Sequence, residues 1–257
     1  MKIFRKIYKA GGIFILSLLF LATSSLAGVL IGDRRSKLRF LSANGSFFSK
    51  AALIVLGMHI RTRDIDQMRR DDGNFLVVSN HLSYTDIFVI YSLAPCIFIA
   101  NSELKEEFPL GLITRCAGGV FIERRNRARL LEDISNISYI LGMGLKTVLF
   151  PEGTTSNGDG LLKFKTPLFS PALESSAKVL PICIKYMTVD GEKVDSSNRD
   201  IVYFHESISF FKHFFRLLEA GSVEVEVREL ESIETEGATR KEVSEEAFRR
   251  ISAAYME

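Results

Sequence analysis

Residues 74–93 read NFLVVSNHLSYTDIFVIYSL, an apolar run followed by a polar turn and a second apolar segment. Its first part, residues 74–79, is an apolar, valine-rich run of the kind that forms a strand buried on both faces of a sheet. Residues 85–93 then predict a helix that has an acidic side chain, Asp86, in its first turn. A buried strand followed directly by a helix is the repeating unit of an α/β domain.

The same alternation continues on both sides of this stretch. Further strands are predicted at residues 59–63, 96–100, 120–122, 147–150, 179–185, 201–204 and 223–228, and further helices at residues 127–141, 209–219 and 239–255. Strands that alternate with helices predict an α/β domain over residues 59–257, with a mixed, largely parallel sheet flanked by helices.

The first 58 residues have a different composition. Residues 11–31 are uncharged and mostly apolar, which is long enough to cross a bilayer as a helix. Residues 38–57 predict a second, more amphipathic helix. Both flanks of the apolar segment are basic, which suits an anionic membrane surface. Because neither flank has an excess of Lys and Arg, the positive-inside rule does not predict the orientation of a single transmembrane helix. The basic residues are Lys2, Arg5, Lys6 and Lys9 before the segment and Arg34, Arg35, Lys37 and Arg39 after it.

Three interpretations of this N-terminal segment remain open. It is a two-helix membrane anchor with both ends on the cytoplasmic face, a single transmembrane helix, or a signal peptide cleaved after Ala27. The basic flanks favour the first, so residues 1–58 are predicted to anchor the α/β domain on the cytoplasmic side of a membrane. Three widely spaced cysteines in apolar sequence, Cys96, Cys116 and Cys183, indicate buried thiols in a reducing compartment.

Composition excludes several other classes of protein. An apolar content of 47% excludes a disordered chain, and a net charge of +2 argues against a nucleic-acid partner. The four histidines are scattered and no Cys/His spacing fits a zinc site, so no metal is expected.

His81 and Asp86 are the first candidate for chemistry. His81 follows a buried strand, where α/β sheets place their active sites, and Asp86 can reach back to it from the first helical turn. Such a pair can take a proton, because the carboxylate fixes the imidazole tautomer and stabilises the imidazolium. The chain has no Gly-x-Ser-x-Gly motif, so a substrate hydroxyl would be the nucleophile. A helix-capping Asp beside a structural His is the alternative interpretation.

A second group of polar residues follows the strand at residues 147–150. Glu152, Gly153 and Thr154 begin a loop rich in hydroxyls and backbone N–H groups, a composition that can hold an anion or simply form a turn. Arg124 follows the strand at residues 120–122 and could bind a phosphate, or be one surface Arg in a basic run.

These motifs together resemble the glycerolipid acyltransferases typified by 1-acylglycerol-3-phosphate acyltransferase. That family carries Asn-His-x-x-x-x-Asp, Gly-x-x-Phe-Ile-x-Arg, Phe-Pro-Glu-Gly-Thr and an apolar segment with a proline, in this order. The corresponding residues here are 80–86, 118–124, 150–154 and 179–182, and the resemblance covers about residues 75–186.

The resemblance implies acyl transfer from acyl-CoA or acyl-carrier protein, without a cofactor, to a membrane lysophospholipid. It implies that His81 is the general base and that Asp86 orients it. Arg124, Glu152, Gly153 and Thr154 would form the acceptor head-group site.

The acceptor expected from this resemblance is 1-acyl-sn-glycerol-3-phosphate. Thr155 and Asn101 stand where many members that make phosphatidic acid have Arg and Lys, so another lysolipid, of the lyso-ornithine lipid or lysophosphatidylcholine type, is the alternative. A membrane lipid-binding protein without activity is the alternative of another class, against which the intact His81 and Asp86 argue.

Overall fold

A computed structural model describes residues 2–70, 74–123, 126–205 and 208–257. The helices are α1 (Lys2–Leu30), α2 (Arg34–Leu56), α3 (Thr85–Leu93), α4 (Leu110–Cys116), α5 (Arg127–Gly142), α6 (Ser170–Glu174), α7 (Phe210–Leu217) and α8 (Arg240–Met256). The strands are β1 (Met58–Arg63), β2 (Phe75–Ser79), β3 (Ile97–Asn101), β4 (Val120–Ile122), β5 (Thr147–Leu149), β6 (Lys178–Val189), β7 (Glu192–Lys193) and β8 (Val223–Glu229).

The strands form one sheet in the order β1-β8-β6-β2-β5-β3-β4, with β7 paired to β6. Only the pairings of β6 with β8 and with β7 are antiparallel among the described strands. The predicted mixed, largely parallel sheet flanked by helices is therefore confirmed. Strand β2 is buried along its whole length and pairs in parallel with β5, Val78 opposite Leu149. The loops that follow β2 and β5 consequently leave the sheet side by side.

Helices cover both faces of this sheet. Apolar side chains of α1, α2, α3 and α7 belong to the core on one face, and those of α5, α6 and α8 belong to the core on the other. Because Phe20, Leu53 and Leu56 lie in the first core, residues 1–58 share their hydrophobic interior with the α/β domain.

Helices α1 and α2 form an antiparallel pair. Their contact includes the rings of Phe20 and Phe48, whose centroids are 5.8 Å apart, and a 2.9 Å hydrogen bond from the Asn44 amide to the Ser24 hydroxyl. Gly57 ends α2 with a φ of 71°, where a Cβ atom would lie 2.4 Å from the Gly221 carbonyl oxygen, so only glycine fits there.

Basic residues at the start of α1 bind the α/β domain. The buried Lys9 ammonium donates to the carbonyl oxygens of Leu56, at 2.5 Å, and Ala220, at 2.7 Å. Arg5 donates to the Glu219 carbonyl oxygen at 2.7 Å, and Lys6 pairs with the Glu219 carboxylate at 2.5 Å. Three of the basic residues that the sequence analysis assigned to a membrane surface therefore hold α1 against the protein.

The strand predicted at residues 201–204 is wrong. Residues Arg199–Ile201 form a 3-10 turn, and the N–H groups of Val202 and Tyr203 both donate to the Arg199 carbonyl oxygen. Val202 and Tyr203 are buried in the core although they do not belong to the sheet, and this explains the strand-like pattern. Helices α4 and α6 were not predicted. They have seven and five residues, which is too short to show helical periodicity in the sequence.

We expect Lys9→Met to lower the free energy of unfolding by about 2 kcal/mol, because the Leu56 and Ala220 carbonyls would stay buried without their donor. Methionine keeps the apolar stem of lysine, so packing is preserved. Urea unfolding in detergent measures the loss. Lys6→Met is the matched control, since its partly exposed ion pair contributes only about 0–1 kcal/mol. Equal stability of the Lys9→Met variant and the wild type would contradict this account.

Candidate active site

The loops after β2 and β5 meet at one edge of the sheet. There the Glu152 carboxylate accepts a hydrogen bond from the His81 backbone N–H at 2.8 Å, and the Ser156 N–H donates to the His81 carbonyl oxygen at 2.8 Å. The Phe204 N–H donates to the next carbonyl, that of Leu82, at 2.9 Å. The main chain around His81 is therefore fixed from two directions.

The Asp86 carboxylate is completely buried and accepts hydrogen bonds at both oxygens. Its Oδ2 accepts from the backbone N–H groups of Leu82, at 2.7 Å, and Ser83, at 2.9 Å, and lies 2.9 Å from Nδ1 of His81. Its Oδ1 accepts from the Tyr186 hydroxyl at 2.7 Å. The contact predicted between His81 and Asp86 is thus present.

The face of the His81 ring also packs against an aromatic side chain. It stacks on the Phe150 ring with centroids 3.8 Å apart and an angle of 8° between the planes. With the Nδ1 hydrogen assigned to the contact with Asp86, Nε2 carries a lone pair, and no described residue binds it. The side chain is 16% exposed. This imidazole can therefore accept a proton from a molecule that reaches Nε2.

A cavity of about 540 Å³ opens beside His81. Most of its wall is apolar or aromatic and comes from α1, α2, α3, α4 and β3. The apolar wall includes Leu16, Phe20, Phe48, Phe88, Tyr91 and Ile113; the polar wall includes Asn101, Glu103, Glu107, Gly153, Thr154 and Thr155. The N-terminal helices thus build part of the cavity, and its shape and lining suit a hydrocarbon chain.

Glu152 does not line this cavity, although the sequence analysis placed it in the head-group site. It is 2% exposed, and its second oxygen accepts from the Leu162 N–H at 2.7 Å. Burial raises the pKa of Glu152 to about 7; the hydrogen bonds from Leu162 and His81 lower it in part, and the charge of Asp86 raises it. The carboxyl group joins two loops and holds the main chain of His81.

Gly153 and Thr154 lie in the cavity wall, as their predicted role requires. Gly153 has a φ of 78°, a left-handed conformation that favours glycine and turns the chain around the buried Glu152. Arg124 lies outside the described residues. The structure therefore brings together His81, Asp86, Gly153 and Thr154, with Glu152 behind them.

Two residues that hold the site were missed by the sequence analysis. The Asn80 side chain donates to the Ile184 carbonyl at 2.9 Å and accepts from the Ile184 N–H at 2.8 Å, which joins the end of β2 to β6. The Tyr186 hydroxyl binds Asp86 and also lies 2.6 Å from the Thr85 hydroxyl. The available signal was a tyrosine two residues after the apolar run at residues 179–184, because a buried hydroxyl needs a partner.

The described residues include no group of three or more His, Cys, Asp or Glu side chains that could hold a metal ion. An oriented imidazole on the wall of an apolar cavity, at the carboxyl ends of parallel strands, defines an α/β enzyme that acts on a lipid-like substrate.

Comparisons with known proteins agree with this class. The Acyltransferase family profile matches residues 59–185. The chain is 33% identical over 210 residues to the lyso-ornithine lipid O-acyltransferase of Rhizobium meliloti, which covers 79% of this chain and 71% of that protein. It is 35% identical over 177 residues to the 1-acyl-sn-glycerol-3-phosphate acyltransferase of Neisseria gonorrhoeae, covering 68% of this chain and 66% of that one.

The fold is also found in a solved structure. The 1-acyl-sn-glycerophosphate acyltransferase of Thermotoga maritima superposes with a TM-score of 0.67 at 20% identity, over 100% of this chain and 99% of that one. The chain belongs to the acyltransferase family, in the group of enzymes that acylate lysophospholipids and related glycerolipids.

We expect Tyr186→Phe to lower kcat about tenfold with little change in KM. A hydrogen bond to a charged group contributes about 1.5–3 kcal/mol, and losing the weaker end of that range in the transition state is a tenfold effect. Steady-state acyl transfer with kcat and KM determined separately measures it, because a group that acts only through Asp86 and His81 changes the chemical step and not substrate binding.

Tyr203→Phe is the matched control for this variant. The Tyr203 ring packs edge-on against Tyr186 with centroids 5.7 Å apart, so it lies one ring further from Asp86. If both variants lose activity equally, or if Tyr186→Phe changes KM instead of kcat, the tyrosine cluster only supports the fold and the positioning role of Tyr186 is wrong.

Proposed function

We propose that this chain is a membrane-bound O-acyltransferase that moves a fatty acyl group from acyl-CoA or acyl-carrier protein to the free hydroxyl of a membrane lysolipid. The observation that carries the proposal is the position of His81, with Nδ1 on a buried carboxylate and its ring on the wall of the apolar cavity. A cavity of about 540 Å³ can take an acyl chain while the thioester lies at His81.

The reaction follows from this placement. Nε2 of His81 takes the proton of the acceptor hydroxyl as the oxygen attacks the thioester carbonyl. The C–O bond forms, the C–S bond breaks, and the thiolate leaves and takes up the proton that His81 accepted. No covalent enzyme intermediate is needed, because the acceptor supplies the nucleophile.

Asp86 supports the charge that appears on His81 in this step. Three donors besides His81, the N–H groups of Leu82 and Ser83 and the Tyr186 hydroxyl, hold its carboxylate in one orientation. A fixed carboxylate stabilises the imidazolium without reorganising during the reaction.

The remaining site residues take different roles. Gly153 and Thr154 line the cavity, and in this proposal they contact the head group of the acceptor. Glu152 acts through the main chain of His81 rather than on the substrate, because both of its oxygens accept backbone N–H groups. Arg124 stays a predicted phosphate contact. The chemistry needs no metal and no cofactor.

Charge at the cavity favours a lyso-ornithine lipid as the acceptor. Glu107 is a charged side chain among the described lining residues, while Asn101 and Thr155 are neutral. Carboxylates attract an ammonium group such as that of ornithine and repel a phosphate. The Rhizobium meliloti relative, a lyso-ornithine lipid O-acyltransferase, supports this choice.

1-Acyl-sn-glycerol-3-phosphate is the second candidate acceptor. The Neisseria gonorrhoeae relative is named for it, and the predicted phosphate contact of Arg124 would serve it.

Exposed apolar residues support the membrane association. Helix α1 is the one helix of the described ranges that is long and apolar enough to cross a membrane, and only 17% of its most apolar window is buried in the protein. Its exposed side chains include Ile3, Phe4, Ile7, Phe14, Leu18 and Val29. Such a surface is stable in contact with lipid, not with water.

Contacts at both ends of the α1–α2 pair favour a helix pair that lies in one leaflet. Lys9 binds the α/β domain at one end, and at the other Arg34 hydrogen-bonds Asn136 of α5 and lies 5.3 Å from the centre of the Tyr139 ring. Helix α1 is about 43 Å long. A spanning α1 would carry Arg34 across the bilayer, away from α5.

We place the α/β domain on the cytoplasmic side. Acyl-CoA and acyl-carrier protein are made there, and the free thiols of Cys96, Cys116 and Cys183 suit that reducing compartment.

We expect His81→Ala to lower acyl transfer by at least about a thousandfold while the protein stays folded. The measurement is release of free CoA thiol together with formation of the ester product, using acyl-CoA and a lysolipid. His59→Ala, at an exposed position in β1, is the matched control and should retain activity. Full activity of His81→Ala would contradict the mechanism, and an inactive wild type would favour the lipid-binding alternative.

We expect lyso-ornithine lipid to be acylated with a kcat/KM at least about tenfold above that of 1-acyl-sn-glycerol-3-phosphate, because one misplaced charge in a site costs about 1.4 kcal/mol or more. The measurement is the rate with each acceptor, and with lysophosphatidylcholine, at equal dispersion in detergent. Glu107→Gln should lower the ratio of kcat/KM for lyso-ornithine lipid to kcat/KM for 1-acyl-sn-glycerol-3-phosphate. A preference for 1-acyl-sn-glycerol-3-phosphate would instead favour the second candidate.

A further inference from the structure

Helix α7 carries two phenylalanines that no described part of the chain covers. Phe211 is 65% exposed and Phe215 is 49% exposed, and their spacing of four residues puts them on one stripe of the helix. Lys212 lies exposed beside them. His213 and Leu217, on the opposite face, are buried, so α7 is fixed to the protein with its aromatic edge outward.

The buried face of α7 packs against the wall of the active-site cavity. The Tyr84 ring lies 5.1 Å from the Phe210 ring and 5.3 Å from the His213 ring, measured between centroids. His213 Nδ1 lies 3.1 Å from the Tyr84 hydroxyl, and Tyr84 lines the cavity beside His81. The position of α7 is therefore tied to the cavity wall.

The residues just after α7 contact the start of α1. Glu219, two residues after α7, pairs with Lys6, and its carbonyl accepts from Arg5. The side chains of Ile3 and Phe4, which are exposed, belong to this same end of α1. Glu219 therefore links the end of α7 to the end of α1 that exposes Ile3 and Phe4.

Positive charge surrounds this junction. The hydrogen bond from Lys6 lowers the pKa of Glu219, and the charges of Lys2 and Arg216 add to that effect. Arg216 also lies 3.6 Å from Asp200. Exposed aromatic rings bordered by basic side chains are the composition of a helix that lies in the interface of an anionic membrane.

We propose that α7 inserts Phe211 and Phe215 into an anionic phospholipid surface, as a second lipid-contacting element besides α1 and α2. This rests on the proposed membrane association. Contact at α7 as well as at α1 brings the Tyr84 side of the cavity to the bilayer surface, where the lysolipid acceptor resides.

Because the chain contains no tryptophan, a single introduced indole reports on one position. The three variants are Phe211→Trp in α7, Leu18→Trp in α1 and Met256→Trp in α8, all at exposed positions. Helix α8 packs on the opposite face of the sheet, so Met256→Trp is the control. Each full-length protein is mixed with phosphatidylcholine–phosphatidylglycerol vesicles, with and without brominated acyl chains, and its fluorescence is recorded.

We expect a blue shift and bromine quenching for Phe211→Trp and Leu18→Trp but not for Met256→Trp. Quenching of Leu18→Trp alone overturns the role of α7 and leaves the membrane association intact. No quenching of either overturns the membrane association itself. A blue shift of Phe211→Trp that depends on protein concentration without vesicles indicates a second copy of the chain on α7, which also overturns the proposal.

The double variant Phe211→Ser/Phe215→Ser tests the consequence. We expect its vesicle binding to weaken about tenfold, since two apolar rings no longer leave water. Its activity on a short-chain lysolipid dissolved as monomers should be unchanged. Met256→Ser is the matched control. Unchanged vesicle binding of the double variant, or an equal loss of activity on the dissolved substrate, would overturn the proposal.

Discussion

The buried carboxylate of Asp86 is the group on which the rest of the site depends. It closes the turn between β2 and α3 through two backbone N–H groups, reaches β6 through Tyr186 and contacts His81. An ionised group without solvent is costly unless every acceptor position is used, so this carboxylate imposes the geometry of its donors. The same hydrogen bonds that stabilise the turn therefore fix the orientation of the imidazole.

The N-terminal helices are as much a part of the site as of the anchor. Leu16 and Phe20 of α1 and Phe48 of α2 line the cavity, while the other faces of these helices expose apolar side chains. One pair of helices thus encloses the cavity on one side and presents the apolar surface of the proposed membrane contact on the other.

The sequence predicted the parts of this structure that rest on local patterns. The strand at residues 74–79 and the helix at residues 85–93 have strong periodicity and turn signals, and the motif order indicated which loops would meet. Roles that depend on three-dimensional burial were not predictable. Glu152 and Thr154 share one loop, yet only the structure shows that one is buried behind His81 and the other faces the cavity.

Glu152 holds the main chain of His81 at a cost in folding stability. A carboxyl whose pKa is raised to about 7 by burial binds its proton more tightly in the folded than in the unfolded protein, so raising the pH from about 4.5 to about 7 weakens its contribution to stability. Glutamine would avoid this cost, but its amide has one acceptor and one donor. The site needs two acceptors, one for His81 and one for Leu162. A carboxyl group supplies both in a planar unit, and this accounts for a titratable side chain at a buried position.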